Sequence, residues 1–211
     1  ILMVFALIPI FFSLFDQTNS TWVLQGQKMA PADVFGFTVG AEEMQSMNPL
    51  FVMILVPLFT LGIYPHIGRI ASPLNRMTIG MFLAGGSYLV VAALQTHIEH
   101  GEQVSVLWQT LPYFVLTAAE VLVSTTGLEF AFREAAPEMK SIIMSFWLLA
   151  IAVGDLFIAV LTKLLSDGTG NASVSTHRFM QYAELTFVVA ILFSIVSAFY
   201  KYRDQAAARG K

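Results

Sequence analysis

Six long apolar stretches constrain this chain more than any other feature. They run from about Ile1 to Gln25, Pro49 to Ile67, Met77 to Thr96, Leu107 to Phe132, Ile142 to Leu165 and Tyr182 to Tyr200. A helix that spans a bilayer needs about 20 mostly apolar residues. The runs are too long for barrel strands and lack period-two alternation. The expected fold is therefore an all-α membrane protein, a single six-transmembrane-helix bundle over residues 1–211. Composition agrees: 56% of residues are apolar and 12% charged, against about 25% charged in a soluble domain. A soluble enzyme is excluded on that ground.

The connections carry turn chemistry. Ala30-Pro31-Ala32-Asp33, Gly36 and Gly40 interrupt the first, Ser72-Pro73-Leu74-Asn75 the second and Ser166–Asn171 the fifth. Gly36 and Gly40 have helix-dimer spacing but fall in a polar connection. Ala84-Gly85-Gly86-Ser87, inside the third stretch, is expected to permit close helix packing. Basic residues set orientation. Arg69, Arg76, Arg133, Lys140, Lys201, Arg203, Arg209 and Lys211 all fall on one side of the alternating connections. That side, with the C-terminus, is expected in the cytoplasm. Lys28, Lys163 and Arg178 share the other side with Asp33, Glu42, Glu43, Glu99, Glu102 and Asp167.

Other classes fall away. The chain has no cysteine, so disulfides and thiol nucleophiles are absent. A net charge of −3 offers no basic face to nucleic acid. His66, His97, His100 and His177 lie near connections and read as surface groups. No nucleophile–base set or metal cluster emerges, so neither enzyme nor metal chemistry is expected. The first stretch lacks the basic region of a signal peptide, and the chain is expected to begin inside or just before a membrane helix. Asn171-Ala172-Ser173 is a glycosylation sequon on the outer side.

Five acids interrupt the apolar runs: Asp16, Glu120, Glu129, Asp155 and Glu184. Each costs about 2.5–3.5 kcal/mol at a helix centre on insertion scales. Glu184 stands at the start of its run and is expected to reach the interface. Asp16 opens a polar run of six, Asp16 to Thr21, which must face water or protein. Glu120 and Glu129 are nine residues apart, about 900° on a regular helix, and so should lie on opposite faces. Glu129 is taken as the cavity acid. Glu120 and Asp155 are read as structural intramembrane acids, with a packing role and a cavity role both open for Asp155. Pro9, Pro57 and Pro112 should kink their helices. Asn48, before Pro49, is either an N-cap or a group held at a helix start to meet a ligand.

These residues resemble a known family. Glu120 to Phe130, followed by Met139-Lys140-Ser141, resembles the signature of the proton-coupled oligopeptide transporters. Phe15-Asp16-Gln17 with Ser20-Thr21-Trp22 resembles that family's seventh membrane helix. Met44 to Phe51 resembles the start of its eighth, and Trp147-Leu148-Leu149 with Gly154 its eleventh. The resemblance implies the C-terminal half, helices seven to twelve, of a major facilitator fold, with the N-terminal six-helix bundle as partner.

It also implies a function: proton-coupled symport of di- and tripeptides across the inner or plasma membrane by alternating access. Protons are the coupling ion and no cofactor is expected. Glu129 would meet the peptide's amino group and share in proton coupling, Asn48 would hydrogen-bond the same end, and Trp147 and Phe12 would line the pocket. Asp16 would pair with an arginine of the other half in gating and proton coupling. There are departures. Phe12 stands where the family often has tryptophan, and Asp155 where it more often has asparagine. Phe132-Arg133-Glu134 replaces a frequent Tyr-Ser-Gln, and proline follows one place late, at Pro137. Arg133 and Glu134 could alter gating. The alternatives are a symporter of another solute, such as nitrate or an amino-acid conjugate, and a peptide-binding scaffold that transports nothing.

Overall fold

The computed structural model describes residues 6–66, 72–134, 137–165 and 174–199. The start of the first stretch, Arg69, the Ser166–Asn171 turn, Asp167, the sequon and the basic tail from Lys201 lie outside the described residues. Five of the six expected stretches form helical segments long and apolar enough to cross a bilayer. They are Glu43–His66, Pro73–Glu99, Val106–Arg133, Lys140–Val160 and Thr176–Phe199.

The first stretch differs from expectation: it is helical but broken. Helix α1 (Ile8–Phe15) passes into a 3-10 turn, Asp16–Asn19, and then into α2 (Thr21–Gly26). Ser20 sits between them at φ −130° and ψ −82°, outside helical geometry. The polar run causes the break, because its side chains compete for backbone partners. Ser20 Oγ and Thr21 Oγ1 donate to Gln17 Oε1 at 3.1 and 3.0 Å, and the Ser20 amide donates to the Gln17 carbonyl at 3.1 Å.

A small hairpin follows, β1 (Ala32–Val34) antiparallel to β2 (Phe37–Val39), with Ala32 opposite Val39. Phe35 and Gly36 make the turn at φ +52° and +84°, the signs of a tight hairpin turn. Gly36 thus serves the turn, and the glycine spacing marks no helix contact.

The second segment is a 3-10 turn (Glu43–Ser46), α3 (Met47–Pro57) and a π-helical turn (Leu58–Ile63). Pro57 lacks an amide hydrogen and displaces the ladder, as expected. Pro9 and Pro112 fall instead in the first turns of their helical stretches, where proline is tolerated. The third segment is the unbroken α4 (Pro73–Glu99). The fourth is a 3-10 turn (Val106–Gln109), α5 (Thr110–Glu120), a second π-helical turn (Val121–Thr125) and α6 (Thr126–Glu134). A further 3-10 turn, Pro137–Met139, leads into α7 (Lys140–Leu165), and α8 (Thr176–Phe199) closes the bundle.

The third and fourth segments form the interior. In its most apolar window the fourth is 61% buried, against 6% for the second. Met77, Met81, Tyr88, Tyr113, Phe130, Phe179 and Phe193 fill the core. Leu148, Leu149 and Leu156 on α7, and Val188, Ile191 and Ile195 on α8, stay exposed, as a lipid-facing or partner-facing surface requires. Small residues set the close contacts, as the Ala84–Ser87 run predicts for Gly85. A Cβ on Gly85 would lie 2.9 Å from the Phe187 ring of α8, and one on Gly80 2.8 Å from Val123. Gly86 meets nothing within 4 Å. Gly154 of α7 lies against the Pro9 carbonyl of α1, where any Cβ would collide. Replacing Gly154 with valine is expected to push these helices apart and cost about 1–3 kcal/mol. Thermal unfolding in detergent should show a lower midpoint for Gly154→Val and none for Gly86→Ala.

Candidate functional site

The polar groups of the interior fall into two clusters and one framework. The first cluster gathers around the break in the first segment. The 3-10 turn presents the Asp16 carboxyl beside that of Asp155 of α7 and within electrostatic reach of Glu120 at the end of α5. Asn48 completes the group. Its Nδ2 donates to Glu120 Oε2 at 2.8 Å and to Thr117 Oγ1 at 3.2 Å.

Asn48 is therefore not an N-cap. Helix α3 starts at Met47, its cap has no side-chain hydrogen bond, and Asn48 occupies the first turn. Its amide is spent on the neighbouring helix. The structure thus brings together Asp16, Asn48, Glu120 and Asp155, from four different segments.

Glu129 is not in this group. It stands at the other end of the fourth segment, where Arg133 Nη1 lies 3.2 Å and Arg76 Nη1 3.9 Å from its carboxylate. The Arg76 guanidinium lies over the Tyr64 ring, 3.7 Å from its centroid, a stacked cation–π contact. The side chains of Glu129 and Arg133 are 49% and 64% exposed. Arg133, expected near a gate, is thus part of an ion pair with the acid one turn before it. Glu134's side chain lies outside the described residues.

The angle between the two acids also differs from that of a regular helix. The expected opposition of Glu120 and Glu129 assumes about 100° per residue throughout. The π-helical turn Val121–Thr125 lies between them, and such a turn accommodates one extra residue. It removes about 100° of rotation and resets every face beyond it. Face arithmetic across residues 121–125 therefore cannot decide which acid meets Asp16.

Trp147 and Phe12 pack against each other. Their rings pack edge to face with centroids 5.9 Å apart, and Trp147 is 3% exposed. A Cβ on Gly127 would collide with the Trp147 ring. The pair forms a wall joining the first, fourth and fifth segments, not a surface open to solvent. Glu184 is exposed on α8, as its position predicts.

The framework escaped sequence reasoning. Gln25 Nε2 donates to the Val91 carbonyl at 3.0 Å and to Gln95 Oε1 at 3.2 Å. Gln109 Nε2 donates to the Trp22 carbonyl at 2.9 Å and to Gln25 Oε1 at 3.2 Å. Gln95 reaches Glu99 Oε1 at 3.2 Å, and Glu99 accepts from the Thr176 amide at 2.8 Å and its hydroxyl at 2.9 Å. Tyr88 adds a hydrogen bond to the Leu14 carbonyl. The available signal was three glutamines at the ends of otherwise apolar runs.

Comparison with known proteins gives these clusters a context. The family model described as "PTR2: POT family" matches residues 1–182. Peptide transporter family 2 of Caenorhabditis elegans is 34% identical over 146 residues, covering 63% of this chain and 18% of that protein. Dipeptide and tripeptide permease A of Edwardsiella piscicida is 27% identical over 191 residues, covering 87% of this chain and 39% of that protein. The chain therefore spans well under half the length of either relative. A crystal structure of an auto-inhibited POT family peptide transporter superposes with a TM-score of 0.82 at 40% identity, over 96% of this chain and 41% of that one. Apolar spanning helices, acids gathered near a helix break and this match over most of the residues lead to one conclusion: the chain belongs to the POT family of membrane transporters.

Proposed function

We propose that this chain is the C-terminal half of a proton-coupled symporter of di- and tripeptides that works by alternating access. The names of its relatives, a peptide transporter family member and a dipeptide and tripeptide permease, support the substrate class. The observation that carries the reading is the Asn48–Glu120 hydrogen bond of 2.8 Å beside the Asp16–Asp155 pair.

Glu120 is the acid that meets the peptide's amino group. Asn48 engages one carboxylate oxygen and fixes the plane of the group, leaving the other oxygen for an ammonium. Such a charge-assisted contact is worth about 1.5–3 kcal/mol. Asp16 and Asp155 hold the coupling proton between them. An arginine from the N-terminal bundle, as the family resemblance implies, draws Asp16 into an ion pair when the proton leaves. Arrival and loss of the proton then bias two arrangements of the halves. The irregular backbone at Ser20 supplies a place for that movement. The Arg76 and Arg133 end and the C-terminus face the cytoplasm, and the protein lies in the inner or plasma membrane.

Uptake of labelled dialanine into proteoliposomes, with the full transporter and an inward proton gradient, tests this reading. Competition by unlabelled dialanine is expected; its absence would favour another solute. Glu120→Gln should lower uptake at least about tenfold, from the contact energy above. Glu129→Gln, which removes only a half-exposed ion pair worth about 0–1 kcal/mol, should change it by less than about fivefold. The reverse order of effects would return the amine-binding role to Glu129. For Asp16→Asn and Asp155→Asn, gradient-driven accumulation should fail while counterflow of labelled peptide persists. Normal accumulation in either variant would remove that residue from the proton step.

A further inference from the structure

The small hairpin after α2 ends in two aromatic rings left largely uncovered. Phe35 is 99% exposed and Phe37 76% exposed. Phe35 also holds φ at +52°, a left-handed conformation that is an outlier for a bulky side chain. The turn itself gains nothing from phenylalanine, because asparagine or aspartate takes that conformation more readily. Strain and full exposure of an apolar ring therefore coincide at one residue, and strained positions cluster at functional sites.

Register shows which face the rings belong to. Ala32 lies opposite Val39 and Val34 opposite Phe37, so these four share one face. Asp33 and Thr38 share the other, where the Thr38 hydroxyl donates to Asp33 Oδ1 at 2.8 Å. The polar face thus satisfies itself and suits water. On the apolar face Ala32 and Val39 pack against the core, and the apolar surface continues past them to Val34, Phe37 and the tip. The hairpin is also fixed at its root. The Ala30 amide donates to the Val104 carbonyl at 2.8 Å, and the Val106 amide to the Ala30 carbonyl at 2.9 Å.

Val106 is the first residue of a spanning segment, so the hairpin is rooted where the bilayer begins. Trp108 and Leu111, early in that segment, are 60% and 50% exposed, and exposed tryptophan at the end of a span is a mark of the membrane interface. A strand advances about 3.3 Å per residue, so Phe35 lies within about 17 Å of Ala30. A hairpin of that reach can rest on the headgroup layer, which is about 5–8 Å deep on each side of the hydrocarbon core.

We propose that the hairpin tip is a lipid anchor: Phe35 and Phe37 insert into the membrane interface beside the bundle, with the Asp33–Thr38 face turned to water. The occupant is the boundary between headgroups and acyl chains, not an anionic headgroup, because this connection carries Asp33, Glu42 and Glu43 against Lys28. The anchor fixes the level of the fourth segment in the bilayer through the hydrogen bonds at Ala30.

The test is fluorescence quenching of the full transporter in phosphatidylcholine nanodiscs. This chain has no cysteine, so Phe35→Cys, Phe37→Cys and Asp33→Cys each add one site for a bimane label, and the unaltered transporter treated alike gives the background. Lipids brominated on their acyl chains are expected to reduce the emission at positions 35 and 37 and not at 33. Iodide in the water is expected to reduce it at 33 alone. Quenching of positions 35 and 37 by iodide and not by lipid would overturn the anchor and leave a hairpin standing in water. Protection from both quenchers would overturn it too, because the tip would then lie against protein, either the other bundle or a second copy. Lipid quenching at 33 as strong as at 35 would overturn the assignment of faces. Position 37 decides alone if the strained turn does not tolerate Phe35→Cys.

Discussion

The structure depends on how it disposes of polar groups where water is scarce. In a bilayer core each unpaired amide or carbonyl costs several kcal/mol, so every one must find a partner within the protein. Gln25, Gln95 and Gln109 meet much of that demand together, with Gln109 Oε1 left buried without a partner. Gln25 and Gln109 spend their amide hydrogens on carbonyls of other segments, so the first, third and fourth segments cannot separate without stranding buried donors. Glu99 and Thr176 extend the chain of bonds to α8. Individual interhelical hydrogen bonds in membranes are modest, about 0.6 kcal/mol on average. The framework holds because its groups are shared, so one lost partner leaves a second amide unsatisfied.

The irregular helices follow from the same demand. Where Gln17, Ser20 and Thr21 satisfy one another locally, the first segment gives up regular geometry. The break follows Asp16, which stands at the end of α1 where that helix packs on α7. The π-helical turn Val121–Thr125 does comparable work on the fourth segment. It lies directly after Glu120, against the close contact of Gly80 with Ala119, Leu122 and Val123. Two interrupted helices thus bring their polar groups together, Asp16 from one and Glu120 from the other.

Much of this was legible in the sequence. Length and apolarity defined the segments, and the cost of burying charge singled out Asp16, Glu120, Glu129 and Asp155 before their neighbours were known. What failed was inference that assumed regular geometry. The angle between Glu120 and Glu129 was calculated on an ideal helix, and a π-helical turn lies between them. Asn48 had the sequence position of a cap, but the 3-10 turn Glu43–Ser46 runs straight into α3, so its amide was free for Glu120. Trp147, expected to line the pocket, packs in a slot left by the glycine at position 127. The Phe35-Gly36 turn lacks the Asn-Gly or Asp-Gly pair that announces such hairpins. The Asn48–Glu120 and Gly127–Trp147 contacts join residues distant in sequence, which local pattern does not encode.

The two ends of the bundle are held by different physics, and the difference bears on which end can open. At the hairpin end, losing the glutamine contacts exposes no group to water and leaves buried amides unpaired, at about 1–3 kcal/mol each. At the opposite end, Glu129 and Arg133 are 49% and 64% exposed. If they part, each side chain is rehydrated, and an exposed pair of this kind contributes about 0–1 kcal/mol. Arg76 keeps its stack on Tyr64 in either case. Among the described residues, the Arg76–Glu129–Arg133 end is therefore held by partly exposed ion pairs, and the hairpin end by buried hydrogen bonds that cost more to break.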